Sequence, residues 1–308
     1  MKNIALTGSS GFVGTYFIDY VRKDETIHTV RLSRNEQSGY VDSLFDSINK
    51  YTLHAIIHLA GKAYDLKKVS DDQSYFKANT DLTIELYNEF LNSSIPVFIY
   101  FSSVKAVADS VDGVLDESNE PNPKTVYGIS KLKAEQYIFS NLPSDGKRVF
   151  ILRPCMIHGP GNKGNLNVLY KMVSKGIPWP LGAFENKRSF CSIENVCFVI
   201  KELIEREDIP QGIYNIADDE TVSTNELISL IAQTQNRVTK IFKLPKGLIK
   251  ILTKIGDVLG LPLNSERLQK LTESYVVSNA KITSILDKPL PVTNKAGLIK
   301  TFQSLTNQ

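Results

Sequence analysis

The chain has 308 residues, of which 42% are hydrophobic and 22% charged, the balance of a globular protein with one large or two modest domains. Its formal net charge of +3 is too small to indicate binding to nucleic acid or to a membrane surface. The three cysteines lack paired spacing, so they indicate neither a disulfide framework nor a metal site, and we expect free thiols in a reducing cytoplasm.

The first half of the chain alternates short apolar runs with helical patterns. The apolar runs predict strands at residues 4–7, 28–32, 55–59, 97–101 and 149–152. Apolar residues at helical spacing predict helices at residues 12–22, 76–91 and 126–139. Because the strand segments are continuously apolar, both faces of their sheet should be covered. The alternation predicts an α/β fold with a parallel, doubly wound sheet of the Rossmann type.

The sequence pattern changes in the second half of the chain, where glycines and prolines indicate loops after Pro154. Residues 213–216 predict one more strand of the sheet, and residues 224–233 and 248–259 predict helices of a smaller lobe. We expect a dinucleotide-binding domain at 1–160 with a returning segment at about 187–217. The predicted substrate-binding lobe is interleaved with it and comprises 161–186 and 218–308.

The most apolar stretch, residues 248–263, is interrupted by Lys250, Lys254 and Asp257. It does not reach the ~18 apolar residues of a membrane span. The pattern predicts an amphipathic helix that packs on the protein rather than one that lies on a bilayer. We therefore expect a cytoplasmic protein without a membrane partner.

A glycine loop joins the first predicted strand to the first predicted helix. Gly8 permits a tight turn, Gly11 lets the backbone approach a pyrophosphate, and Gly14 lets the helix pack close to the strand. The helix N-terminus supplies free N–H groups and the positive end of a dipole. This loop predicts a dinucleotide site formed by Gly8, Ser10, Gly11, Phe12, Val13 and Gly14.

The end of the second predicted strand bears on the choice between NAD(H) and NADP(H). An acidic residue there accepts hydrogen bonds from the ribose 2′-hydroxyl, whereas a cation accommodates a 2′-phosphate. The segment has Ser33 and Arg34 and no acid. A hydroxyl and an Arg fork suit phosphate, which favours NADP(H). If Arg34 is only a solvated surface charge, NAD(H) remains open.

Tyr127 and Lys131 are four residues apart on a predicted helix and share a face. A nearby ammonium lowers the pKa of a phenol, so Tyr127 can give or take a proton on a substrate oxygen during hydride transfer. Ser102 and Ser103 end the fourth predicted strand, at the sheet edge where such folds bind ligands. We expect Ser103 to hold the substrate oxygen, with Ser102 as the alternative.

These motifs together resemble the short-chain dehydrogenase/reductase superfamily, extended branch. The marks are Thr7-Gly8-x-x-Gly11-Phe12-Val13-Gly14, His58-Leu59-Ala60-Gly61, Phe101-Ser102-Ser103, Tyr127-x-x-x-Lys131 and Arg153-Pro154. The resemblance implies that Ser103 aligns with the catalytic position and that Lys131 binds the nicotinamide ribose. It also implies cofactor contacts from Leu59, Ala60, Gly61, Asn79 and Pro154, although Asn79 could instead be a structural or surface amide.

The second half of the chain is similar to nucleotide-sugar epimerases, dehydratases and reductases. In that family an Asn before the first substrate-lobe helix and a later Arg bind the nucleoside diphosphate, which Asn165 and Arg188 match. Arg267 is a weaker candidate. Val104 and Lys105 stand where a dehydratase needs carboxylates, which argues against dehydration.

Ser-Ser-Val-Lys resembles a bacterial subgroup labelled UDP-glucose 4-epimerase, whose members include reductases of UDP-4-keto-6-deoxy-N-acetylhexosamines in surface polysaccharide synthesis. The absence of an acidic residue at the ribose-binding position, Ser33 and Arg34, favours the 4-ketoreductase. A UDP-hexose 4-epimerase is the alternative, and a reductase of a small ketone or a non-catalytic dinucleotide sensor are others. The family also implies a homodimer that pairs through helices 76–91 and 126–139.

Overall fold

The computed structural model describes residues 1–33, 44, 46–47, 50–63, 71–144, 146–162, 164–259 and 264–306. For Asn165 and Val258 it describes the backbone alone.

A six-stranded parallel sheet forms the centre of the fold, with the strand order β2-β1-β3-β4-β6-β9. Its strands are β1 (Lys2–Thr7), β2 (Ile27–Arg31), β3 (Leu53–His58), β4 (Val97–Phe101), β6 (Arg148–Pro154) and β9 (Gly212–Ile216). This confirms the predicted parallel α/β fold, including the late strand that returns to the sheet. The chain runs from β1 to one side and then returns to the other side at β3, so the carboxyl ends of β1 and β3 flank the point where the strand order reverses.

Two small sheets and a set of helices surround the main sheet. The small sheets pair β5 (Val114–Leu115) with β10 (Val276–Val277), and β7 (Met156–His158) with β8 (Phe190–Ser192). The described helices are α1 (Phe12–Val21), α2 (Asp72–Phe76), α3 (Leu82–Asn92), α4 (Val126–Ser140), α5 (Asn165–Ser174), α6 (Ile193–Glu205), α7 (Thr224–Thr234), α8 (Lys246–Leu259), α9 (Ser265–Thr272), α10 (Ala280–Leu286) and α11 (Asn294–Thr306).

Apolar cores cover both faces of the main sheet. On one face α1 and α6 pack through residues such as Phe17 and Ile200, and on the other α3 and α4 pack through Phe90 and Ile138. Strands buried on both sides need apolar residues at successive positions, which explains the continuous runs.

A third core holds the second lobe together. It is built from residues of α5, α7, α8, α9 and α11, with Trp179 and Leu181 between them. Tyr275 and Leu286 lie within the range predicted for this lobe, yet they pack in the core of the main sheet. The two-domain division stays a prediction, and this returning segment ties the two parts together.

Helix α8 packs on the protein through one narrow side only. Ile249, Thr253 and Gly256 are buried, while five large apolar side chains are exposed. The expected packing on the protein therefore involves this one side of the helix and leaves an apolar stripe uncovered. Among the helices of the described ranges, none is long and apolar enough to cross a bilayer.

Candidate active site

The glycine loop lies at the carboxyl end of β1, at the reversal point of the sheet. Gly8 has a φ of 64°, and a Cβ there would lie 2.7 Å from the Ala60 backbone nitrogen. A Cβ on Gly14 would lie 2.4 Å from the Gly8 carbonyl oxygen. Helix α1 begins after Gly11 without a side-chain cap, so its first N–H groups remain available to a ligand. This cradle fits a pyrophosphate, as the sequence predicts.

A buried histidine supports the glycine loop through a hydrogen-bond network. The Thr7 hydroxyl lies 2.7 Å from His58 Nδ1 and accepts a hydrogen bond from the Ala60 nitrogen at 3.1 Å. His58 Nε2 lies 3.0 Å from the Thr83 hydroxyl. Burial, with a smaller effect of the Lys131 ammonium, lowers the pKa of His58 to about 3. The imidazole is therefore neutral and ties β1 and β3 to α3.

Asn79 joins the cofactor side of the site to helix α4. Its amide nitrogen donates to the Lys62 carbonyl at 3.1 Å and to the Ser130 hydroxyl at 3.0 Å, and its oxygen accepts from the Lys62 nitrogen at 2.7 Å. A Cβ on Gly61 would lie 2.7 Å from this oxygen. Asn79 is fully buried and so is not a surface amide. Its contacts position the loop after β3, and a direct cofactor contact stays a prediction.

Lys131 is buried on the inner face of α4. Its ammonium donates to the Phe101 carbonyl at 2.7 Å and lies 4.9 Å from the centre of the Tyr100 ring. A Cβ on Gly61 would lie 3.3 Å from the same ammonium. Burial lowers the pKa of Lys131 to about 8, and the Glu135 carboxylate opposes that shift. Lys131 thus carries a charge at neutral pH between the end of β4 and the loop after β3.

The side chains of Tyr127 and Ser103 are hydrogen-bonded to each other. Tyr127 lies in the first turn of α4, whose cap Thr125 is held by Asp109 through its hydroxyl at 2.9 Å and its nitrogen at 3.1 Å. The Tyr75 ring contacts the Tyr127 ring edge-on, with 6.3 Å between the centroids. The sheet edge and the helix start therefore bring two predicted catalytic groups together.

The pKa of Tyr127 differs from the expectation drawn from Lys131. Burial raises this pKa above its ordinary value, and the Ser103 hydrogen bond opposes the shift. Lys131 instead directs its ammonium at the Phe101 carbonyl. The phenol is therefore protonated at neutral pH in this structure.

Ser102 faces away from Tyr127 into a buried ionic network. Its hydroxyl donates to Glu135, which also accepts three hydrogen bonds from Arg153 at 3.0, 3.1 and 2.5 Å. The carboxylate and the guanidinium are both almost fully buried. Ser102 is thus occupied in the interior, which supports Ser103 as the residue that faces the substrate.

Charged residues gather beside the segment that follows Ser103. Lys105 donates to the Asp109 carbonyl at 2.7 Å and lies 4.3 Å from the centre of the Tyr275 ring. Arg188 donates to the Lys270 carbonyl at 2.5 Å. Burial lowers the pKa of Lys105, and the positive charge of Arg188 adds to this effect. Arg188 is therefore close to the catalytic segment, although part of its guanidinium is engaged within the protein.

The other predicted ligand contacts have mixed outcomes. Arg267 is exposed on α9, and Asn165 is the first residue of α5, with no side-chain description. Ser33 is exposed just after β2, whereas Arg34 lies outside the described residues. Pro154 ends β6, which is separated from β1 and its glycine loop by the two strands β3 and β4. The NADP(H) preference and these substrate contacts stay predictions.

Two residues that support the site escaped the sequence reasoning. Glu135 follows Lys131 by one helical turn, a spacing at which a carboxylate shares the face of the lysine. Asp109 holds the cap of α4 from 16 residues upstream. The first has a local sequence signal, whereas the second depends on how the loop folds back.

The NAD dependent epimerase/dehydratase family model matches residues 4–217. The UDP-glucose 4-epimerase of Vibrio cholerae is 29% identical, over 98% of this chain and 95% of that protein. The N-acetyl-α-D-glucosaminyl-diphospho-ditrans,octacis-undecaprenol 4-epimerase of Escherichia coli O157:H7 is 25% identical, over 98% of this chain and 94% of that one.

A similar fold occurs in the RMD protein of Pseudomonas aeruginosa, whose structure was solved in complex with NADPH. The two chains superpose over their full lengths with a TM-score of 0.75 and 21% identity. At this identity the likeness establishes the fold, and the site of the present chain has to be argued from its own residues.

Proposed function

This chain belongs to the NAD-dependent epimerase/dehydratase family and is a nucleotide-sugar epimerase or reductase. Of these two activities, we propose that it is a 4-ketoreductase. Its proposed substrate is a UDP-4-keto-6-deoxy-N-acetylhexosamine of surface polysaccharide synthesis. Tyr127, Ser103 and Lys131 are the proposed catalytic residues.

The proposed reaction needs a proton donor and a clamp at one substrate oxygen. When bound, a reduced nicotinamide supplies the hydride that adds to C4 of the sugar. Tyr127 donates its phenolic proton to the 4-keto oxygen, and the Ser103 hydroxyl donates a hydrogen bond to the same oxygen. The Lys131 ammonium holds the ribose side of the cofactor and stabilises the phenolate left behind.

The cofactor preference supports the reductive direction. No acidic residue stands at Ser33 or Arg34 after β2, which favours NADPH, the cofactor that a reductase consumes. A ketoreductase begins by giving a proton to the substrate, and the Tyr127 phenol, whose pKa burial raises above its ordinary value, can supply that proton.

The proposed cofactor is a nicotinamide dinucleotide, with NADP(H) preferred. Gly8 and Gly14 lie so close to neighbouring backbone that a Cβ would clash, and helix α1 begins without a side-chain cap, so its first N–H groups can bind a pyrophosphate. No acidic residue follows β2 in the sequence at Ser33 and Arg34, which supports the 2′-phosphate. Measured dissociation constants for NADPH and NADH would test this, and tighter NADH binding would overturn the preference.

The second candidate is a UDP-hexose 4-epimerase. The name of the V. cholerae relative favours it, and the name of the E. coli relative favours 4-epimerisation without naming a UDP-sugar. An epimerase keeps its cofactor through a cycle, whereas a reductase consumes one NADPH for each product. The E. coli relative is named for a sugar joined through diphosphate to undecaprenol. An assay should therefore also test whether the substrate of this chain carries a nucleoside or a lipid on its diphosphate.

The decisive assay supplies UDP-GlcNAc, UDP-glucose and a UDP-4-keto-6-deoxy-N-acetylhexosamine, each with and without NADPH. A 4-ketoreductase oxidises NADPH in proportion to the keto sugar and leaves the other two unchanged. Turnover of UDP-GlcNAc or UDP-glucose without added NADPH would instead establish the epimerase.

Tyr127→Phe tests the proton donor in the same assay. We expect kcat to fall by at least about 10²-fold because the ring then has no proton to donate. NADPH affinity should be unchanged, since the hydroxyl is directed at Ser103. Tyr16→Phe, which removes a phenol bonded to the Pro160 carbonyl, is the matched control. A Tyr127→Phe enzyme with normal turnover would remove Tyr127 from the mechanism.

A further inference from the structure

Helix α8 carries an apolar stripe that the described part of the protein leaves uncovered. The spacing of its members, three, four or seven residues apart, places them on one side of the helix. Its members are Leu248, Ile251, Leu252, Ile255 and Leu259. Ile251 is 60% and Leu259 64% exposed, which is unusual for residues of this size within one continuous surface.

The buried side of the same helix lies beside this stripe. At about 100° per residue, Ile249, Thr253 and Gly256 lie roughly a quarter turn away from the exposed apolar residues. The lysines Lys246, Lys250 and Lys254 occupy the remaining, polar side. The stripe therefore adjoins the buried side at Leu252 and extends away from the core through Leu248, Ile255 and Ile251.

The segment that leads into α8 also exposes apolar side chains and is joined to the lobe by backbone hydrogen bonds. Val238 is 97% exposed and Phe242 is also exposed. Backbone hydrogen bonds join Trp179 to Lys240 at 2.9 Å, and Phe242 to Trp179 at 2.8 Å. The exposed side chains are thus presented by anchored backbone.

Charge identifies the partner of this surface. Residues 236–259, up to the end of α8, contain six Lys or Arg and one acid, Asp257. Since the whole chain has net charge +3 and this segment carries +5, the remainder carries −2, so positive charge is concentrated at the apolar surface. A helix is about 10–12 Å across, so even the lysines on its polar side lie near one Debye length (~10 Å at 0.1 M salt) from a bound surface.

We propose that the apolar stripe of α8, with Val238 and Phe242, docks on an anionic lipid bilayer. Apolar side chains enter the interface, while Arg237 and the lysines attract the lipid phosphates from within about one Debye length. A second copy of the chain is a poorer partner, because a two-fold contact through this surface would bring two sets of six cations together. This proposal departs from the sequence-based expectation of no membrane partner.

Docking would place the proposed substrate-binding residues beside the membrane. Helix α8 packs on α9, and Arg188 donates a hydrogen bond to the Lys270 carbonyl of α9. The docking surface is argued from residues outside the proposed catalytic site. It therefore stands whether the sugar diphosphate is soluble or carried on a lipid.

Vesicle co-sedimentation of the full chain tests the proposal. We expect binding to phosphatidylcholine vesicles that contain phosphatidylglycerol, weak binding to phosphatidylcholine alone, and loss of binding when salt rises from about 0.1 M to about 1 M. Failure of the wild-type chain to bind the anionic vesicles would overturn the proposal.

Two paired variants separate the apolar and the charged contributions. Ile251→Gln with Ile255→Gln should weaken vesicle binding by about tenfold or more, and Lys250→Gln with Lys254→Gln by roughly tenfold at low salt. Val168→Ser, at a residue 68% exposed on α5, is the matched control and should bind like wild type. Equal binding by all three variants would overturn the assignment to α8.

Activity and association state complete the test. The Ile251→Gln, Ile255→Gln variant should keep wild-type turnover of a soluble UDP-sugar, because these side chains are exposed and distant in sequence from Tyr127 and Ser103. Wild-type self-association that this variant abolishes, without vesicle binding, would show that the surface is a protein–protein interface and would overturn the proposal.

Discussion

Two adjacent serines at the end of β4 have opposite surroundings. Side chains alternate along extended backbone, so Ser103 is directed to Tyr127 when Ser102 is directed to Glu135. Glu135 also forms an ion pair with Arg153. Its charge opposes the lowering of the Lys131 pKa by burial, and Lys131 lies one turn before it on α4. A single buried carboxylate thus supports both the strand end and the catalytic lysine.

Single serine replacements should separate these two roles. Ser103→Ala should reduce kcat by about 10²-fold with little change in thermal stability, because it removes a donor to the substrate oxygen. Ser102→Ala should retain most activity and lower the free energy of unfolding by about 1 to 3 kcal/mol, since it removes a hydrogen bond to a buried charge. The measurements are steady-state kinetics and denaturant unfolding, and a reversed pattern would exchange the two assignments.

At the scale of the element, local pattern predicted most boundaries and tertiary contacts decided the rest. Strand β4 and helix α1 follow apolar runs and glycines that are visible in the sequence. The predicted helix 76–91 instead contains a π-helical turn at Lys77–Asp81, where the Asn79 amide reaches Lys62 and Ser130. These partners lie 17 and 51 residues away, so helical spacing alone could not reveal the turn.

The contact between α1 and the glycine loop gives a test at this scale. A Cβ on Gly14 would lie 2.4 Å from the Gly8 oxygen and 2.7 Å from the Ser9 Cα, so Gly14→Ala must push the helix away from the loop. We expect the dissociation constant for NADPH to rise by more than about tenfold through the displaced helix N-terminus. Fluorescence titration with NADPH measures it.

Gly247→Ala is the matched control, because its Cβ would meet no atom within 4 Å in the first turn of α8. It should leave NADPH binding unchanged and raise helix stability by roughly 0.5 kcal/mol. Normal NADPH affinity in Gly14→Ala would mean that the loop does not hold the pyrophosphate.

At the scale of the molecule, the sequence predicted the parallel sheet better than the surfaces. Continuous apolar strands require cover on both faces, whatever the details of the helices. The side that α8 buries depends on the core around Trp179 and Leu181, more than 60 residues earlier, so its exposed stripe could not be read from its own pattern. The Arg188–Lys270 contact, across 82 residues, was likewise beyond local reasoning.

The predicted homodimer concerns a different surface from α8. Helices α3 and α4 pack side by side, and α4 exposes Phe139 at 60% beside the polar Lys133 and Gln136. In a two-fold contact each substitution acts twice, so Phe139→Lys should weaken the dimer by about tenfold to a hundredfold. Sedimentation velocity over a dilution series would show the shift to monomer, whereas the Ile251→Gln, Ile255→Gln variant should sediment like wild type. A wild-type chain that stays monomeric at all concentrations, or a Phe139→Lys dimer as tight as wild type, would rule out this contact.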